Sequence, residues 1–154
     1  NFLGFQKRFS GADQAWANIP FTATSGQWFH AAFSSTSAST NDMKIYANGT
    51  QGTNGITANT LITSITNSVI PQINGRNGAN NLNSFQAAEV GIWNAALTAA
   101  EVASLAKGMT PDKIRPQSLV FYAPLVRDLT DQKGGLAITN NNSATVANHP
   151  RVYA

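Results

Sequence analysis

The sequence predicts an all-β jelly-roll sandwich with one short helix near residues 99–107. Three observations carry that prediction. Short apolar runs recur about every 10 residues, each bounded by Gly, Asn, Ser or Pro. Several of these runs alternate with period 2, the repeat of a strand with one face turned to a core. Only one stretch changes to helical spacing, and it is short.

Composition sets the outer bounds. A chain of 154 residues is long enough for one domain, spanning 1–154, with a core of its own. It has no cysteine, which excludes disulfides and thiolate metal sites. Charged residues make up only 11%, while Asn, Thr, Ser, Ala and Gly abound, a mix that suits an exported or particle-bound β protein. The net charge is +3, but the ten Lys and Arg are scattered from Lys7 to Arg151 and only Lys7 and Arg8 are adjacent. No basic stripe forms, so a nucleic-acid partner is not expected. No run of about 18 apolar residues occurs, so no helical membrane span is expected either.

The elements follow in order. Residues 1–9 (NFLGFQKRF) suit a strand, and residues 16–23 (WANIPFTA) suit another, with Pro20 placing it near an edge. Ser25 and Gly26 form a turn. In residues 27–34 (QWFHAAFS), Trp28, His30 and Ala32 share one face while Phe29, Ala31 and Phe33 share the other. Both faces are apolar, which predicts a central strand buried on two sides, with Trp28 in the core and His30 as a hydrogen-bonded core residue. Residues 34–41 are a polar loop. Residues 43–47 form a strand containing Tyr46, and Asn48-Gly49 predicts a type I′ hairpin because both central residues need positive φ. Residues 50–60 read as a loop around a weak return strand. Residues 61–66 and 69–73 are β-like, and residues 74–83 (NGRNGANNLN) are an exposed loop.

Residues 85–93 alternate, with Ala88, Val90 and Ile92 on one face and Phe85, Ala87, Glu89, Gly91 and Trp93 on the other. Trp93 is expected in the core and Glu89 as a buried structural carboxylate. Thr98 and Glu101 then make a capping box, so a helix begins at Ala99. Val102 and Leu105 supply its apolar stripe, Lys107 its last turn and Gly108 its stop. After a Pro-punctuated connection at 109–116, residues 119–125 (LVFYAPL) form a strongly apolar strand. Residues 128–135 turn, 136–139 form a short strand, and 145–153 close the chain around His149 and Pro150.

Four motifs stand in a fixed order: GQWFHAAF (26–33), KIYANGTQG (44–52), INGR (73–76) with AAEVGIWNAALTAAEVASL (87–105), and SLVFYAPL (118–125). Over roughly residues 25–153 this resembles the laminin-G-like jelly rolls of the concanavalin A-like lectin/glucanase superfamily. The family pattern has a Trp-x-His strand, a Tyr-x-Asn-Gly hairpin, a Glu-Val-x-Ile-Trp-Asn strand and a capped helix. Here those positions fall on Trp28, His30, Tyr46, Asn48, Gly49, Glu89, Trp93, Thr98, Glu101 and Gly108. The RPQSL, YAPL and HPRVY segments resemble a subgroup found in tailed-phage and environmental-virus virion proteins. Family members carry further strands before the Trp-x-His motif. The short lead-in here implies either a chain that begins part-way into the fold or a sheet completed by a neighbouring subunit.

The resemblance frames the chemistry. Hydrolases of this superfamily carry alternating acids on one strand, and retaining hydrolysis needs two carboxylates about 5–5.5 Å apart. The corresponding strand here has a single acid, Glu89, flanked on its face by Ala87, Gly91 and Trp93. No catalytic residue is therefore expected. Laminin-G-like domains often hold a calcium ion at the sandwich rim, which would fall on Asp128 and Asp131, or on Asp42 beside Asn41, unless these are Asx turns. A glycan site needs an aromatic platform with amides nearby. Trp16 is the tryptophan least tied to a core pattern, and Asn77, Asn80 and Asn81 supply amides.

The reading that results is a non-catalytic module on a virion surface, a phage head-decoration or tail-associated protein. It would pack against other virion proteins and copies of itself and touch glycans, with calcium the one candidate ion. The alternative is a carbohydrate-binding or adhesion domain of a secreted bacterial protein, with a glycoside hydrolase third.

Overall fold

The computed structural model describes residues 2–9, 12–36, 43–52, 57–58, 85–140 and 143–153; for 2, 5–9, 12–16 and 57–58 it describes the backbone alone. The strands in residues 61–66 and 69–73 and the loop at 74–83 lie outside the described residues. What is described is mostly antiparallel strand with one short α-helix. The fold is an all-β sandwich of the jelly-roll class.

Strands β1 (Phe2–Phe9), β2 (Ala12–Pro20) and β6 (Thr57–Ala58) form one sheet in the order β1-β2-β6. β2 starts and ends earlier than the composition of 16–23 suggests, and it lies between two strands rather than at an edge. Pro20 is the last residue of β2 and pairs with Phe2, while among the described residues β6 pairs at Ala15 and Trp16. A second sheet runs β3 (Ala31–Ser34), β4 (Lys44–Ala47), β5 (Thr50–Gln51). The two sheets meet through Ala17 of β2 and Ile45 of β4, with Met43, Leu3 and Ile19 packed around them. Burial of these aliphatic side chains supplies the main driving force here.

Residues 27–34 depart from expectation. Only Ala31–Ser34 is strand, and it lies at one end of the described sheet. Trp28 is 40% exposed and Phe29 42% exposed, so neither is a core residue. Apolar residues on both faces of a run say that it can be buried twice, not that a layer covers it twice.

The β4–β5 turn is as the sequence reads. Asn48 and Gly49 both have positive φ, at 50° and 80°, and Ala47 pairs with Thr50 across a two-residue turn. Asn48 does a second job. Its N–H donates to the His30 carbonyl at 2.8 Å, and its Oδ1 accepts the His30 N–H at 3.0 Å. The turn is thereby tied to the lead-in of β3. Gly49 is required twice over, because a Cβ there would also meet α1 (Ala99–Ala106), 3.0 Å from Ala106 Cβ.

The last sheet pairs β7 (Val90–Trp93) with β8 (Leu119–Ala123). The alternation from residue 85 does not become strand until Val90, because Glu89 sits in the left-handed region at φ 56°. Trp93 is half-buried and folds back over Gly91, and its indole N–H donates to the Ile114 carbonyl at 2.8 Å. Residues 136–139 reduce to one bridge, Thr130 with Ala137.

α1 begins where the capping box places it. The Thr98 N–H donates to Glu101 Oε2 at 2.7 Å, and the Glu101 N–H donates back to Thr98 Oγ1 at 3.3 Å. It ends in a Schellman motif: the Met109 N–H reaches the Ser104 carbonyl and the Gly108 N–H the Leu105 carbonyl, with Gly108 at φ 99°. Lys107 is the C-cap itself rather than part of the last turn.

Arg115 grips the same carboxylate with two bonds, Nε to Oε1 at 2.9 Å and Nη2 to Oε2 at 2.7 Å, and reaches the Ala96 carbonyl at 3.1 Å. The backbone N–H of Thr98, its hydroxyl and Arg115 together hold Glu101 below its ordinary value of 4.5, against the opposing effect of burial. A carboxylate lowered on folding stabilises the fold above its ordinary range, and that contribution is lost as pH falls through the folded value. Glu101→Gln should therefore cost about 1 kcal/mol at pH 7. Its deficit against wild type, measured by urea unfolding, should close as the pH is lowered to acid.

Candidate functional site

Glu89 is the acid around which any chemistry on β7 would be built. Its left-handed backbone ends the coil before β7, and its N–H donates to the Pro124 carbonyl at 3.2 Å. The register that sets Gly91 opposite Tyr122 brings the phenol to this carboxylate. Tyr122 Oη donates to Glu89 Oε2 at 2.7 Å. Burial and then the adjacent carboxylate push the Tyr122 hydroxyl well above the usual phenol range, so it stays a donor. On the other side, His149 Nε2 stands 3.0 Å from Glu89 Oε1, and Nδ1 lies 2.8 Å from the Pro150 carbonyl oxygen.

The described partners of Glu89 are thus a phenol and an imidazole. Retaining glycoside hydrolysis places a second carboxylate on the opposite side of the scissile bond. Asp112, in the 3-10 helix Pro111–Lys113, is close enough to act electrostatically on Tyr122. The phenol held as a donor against the carboxylate makes a polar clamp between β8 and the lead-in to β7.

The second feature is aromatic. Phe21 and Phe29 pack with ring centroids 4.8 Å apart and planes tilted by 44°, and Trp28 stands exposed beside them in sequence. His30 follows, half-buried, and burial lowers its imidazole below the usual range, which favours the neutral ring. Asn48 is fastened to the His30 backbone, so an amide-bearing turn stands next to exposed rings.

The sequence-based candidates fall as follows. Trp16 lies in β2 opposite Gln6 and Thr57, and its ring is outside the described residues, as are Asn77, Asn80, Asn81, Asn41 and Asp42. Asp131 is 1% exposed and committed to backbone: Oδ1 accepts the Tyr122 N–H at 2.8 Å and the Lys133 N–H at 3.0 Å, and Oδ2 accepts the Gly134 N–H at 2.9 Å. Asp128 accepts from the Thr130 hydroxyl at 2.7 Å. This donor set does not fit a calcium ion, which wants six to eight free oxygens. Among the described residues no three His, Asp or Glu side chains gather as a metal site. Tyr122 and Arg115 escaped the sequence reading because their roles depend on register and on a contact 14 residues away.

The family model for the concanavalin A-like lectin/glucanases superfamily matches residues 3–103. No curated protein and no solved structure matches the chain.

Proposed function

Because the chain belongs to the concanavalin A-like lectin/glucanase superfamily, of the laminin-G-like kind, we propose that it is a non-catalytic adhesion module that binds carbohydrate. The observation that carries this reading is the exposure of Trp28 and Phe29 in the segment before β3, whose next residue, His30, is held by the Asn48 turn. Flat exposed rings offer an apolar face for the C–H side of a pyranose, and the Asn48 amide, its oxygen held by the His30 N–H, offers its N–H donors to the hydroxyls. The superfamily also holds glucanases, but Glu89 is engaged by Tyr122 and His149, which favours binding over hydrolysis. The virion surface is the proposed place of display, on the resemblance of the RPQSL, YAPL and HPRVY segments, and other virion proteins and further copies of this chain are the proposed partners.

A glycan array tests the reading. Wild type should retain a defined set of glycans. Trp28→Ala should weaken retention about tenfold, the loss of roughly one stacking contact. Trp16→Ala, run alongside, reports whether the other candidate platform contributes. Failure to retain any glycan, or full retention by both variants, would sink the proposal.

A further inference from the structure

The Asn48-Gly49 turn carries a chemical liability that its folded geometry holds back. Asn48 is exposed and is followed by a residue without a side chain, the setting in which an asparagine most readily loses its amide. In that reaction the Gly49 nitrogen attacks Asn48 Cγ. A C–N bond forms, the Cγ–Nδ2 bond breaks, and ammonia departs with the proton lost from the Gly49 N–H. Water then opens the cyclic imide at one of its two carbonyls and leaves aspartate or isoaspartate.

The turn denies the first step. Asn48 has φ 50° and Gly49 φ 80°. A type I′ turn with these signs has ψ of about +30° at its first central residue. At that ψ the Cβ of an L-residue stands about 150° from the next nitrogen around the Cα–C bond, whereas ring closure needs the two nearly eclipsed. Reaching the eclipsed form means rotating the peptide plane between Asn48 and Gly49, and three contacts oppose that rotation. The Asn48 N–H is held by the His30 carbonyl at 2.8 Å, and Oδ1 by the His30 N–H at 3.0 Å. Gly49 is seated on α1, where a Cβ would lie 3.0 Å from Ala106 Cβ and 3.1 Å from Ala103 Cα.

We propose that Asn48-Gly49 is a latent modification site, closed while the turn sits on α1 and open to cyclisation only when the β4–β5 hairpin lifts away. The original amide is not regained. Isoaspartate routes the backbone through the former side chain and adds a methylene to it. Two residues then no longer span Ala47 to Thr50, and the seat against α1 has no room for the extra atom. His30 loses the acceptor of its N–H, and the segment carrying Trp28 and Phe29 loses its tie to the turn. That last consequence, an adhesion face retired by age, rests on the carbohydrate-binding reading; the closed state of the turn does not.

Mass mapping of the full chain at neutral pH tests the closed state, comparing conversion at Asn48 in the native protein with conversion in urea. The native rate should be at least about tenfold lower, set by the small population in which the turn is open. Comparable rates would overturn the proposal. A second arm uses the chain with its other Asn-Gly pairs removed by Asn54→Gln, Asn74→Gln and Asn77→Gln. It is converted in urea and refolded, and the isoaspartate form is separated. Hydrogen exchange should find the His30 N–H protected before conversion and in Asn48→Asp, whose carboxylate still accepts it, but unprotected in the isoaspartate form. Protection retained in that form would overturn the loss of the tie, and if the form does not refold, the rate comparison alone decides. Neither readout involves a sugar, so the turn is judged whether or not the glycan array retains one.

Discussion

Asp131→Ala should destabilise the protein by about 3 kcal/mol, seen as a lower urea midpoint with an unchanged slope. The substitution strips three backbone donors of their acceptor at once: the N–H groups of Tyr122, Lys133 and Gly134. The first of these belongs to a buried residue of β8, where water does not easily replace the lost oxygen. Asp131→Asn separates the contributions. Its remaining oxygen can serve Tyr122 and Lys133, while its amide would point N–H against the Gly134 N–H, so its deficit should be smaller than that of alanine. Burial alone would raise the Asp131 carboxyl, yet the surrounding N–H donors hold it below the usual carboxylate range. Its contribution is therefore complete at neutral pH and disappears as the pH falls through its folded value.

Gly91→Ala should cost about 2–3 kcal/mol by overpacking. A Cβ at position 91 would lie 2.6 Å from Trp93 Cη2 and 2.9 Å from Pro111 Cβ. Neither neighbour can swing away cheaply. The indole is fixed by its bond to Ile114, and Pro111 is a buried ring in the 3-10 helix. The variant should unfold at lower temperature, and its tryptophan emission should shift to the red as the indole is pushed toward water. Unchanged emission together with unchanged stability would mean that the Trp93–Gly91 contact is looser than the geometry shows.

These two sites differ in how far the sequence disclosed them. Gly91 and Trp93 stand two apart on one strand face, so their contact follows from strand periodicity. Asp131 was visible only as an acid in a turn, because its partners Tyr122 and Gly134 are chosen by how the turn folds back on β8. The same contrast runs through the fold. The Thr98–Glu101 box, the Gly108 stop and the Asn48-Gly49 turn are local devices, and each was legible because its partners lie within a few residues. The exposure of Trp28 and Phe29 was not legible, since it depends on which layers are laid over residues 27–33. Glu89 was found by its place on the strand. Its bond to Tyr122 needed the β7–β8 register, and its contact with His149 needed the path of the last ten residues.

The seat of Gly49 against α1 has a kinetic consequence. The hairpin around it can close within microseconds, since its two strands are neighbours in sequence. Its turn finds its place only after the chain has closed a loop of about fifty residues to deliver Ala103 and Ala106. Early hairpin and late docking would then appear as separate events. A substitution at Ala106 should leave the folding rate nearly unchanged and act mainly by speeding unfolding.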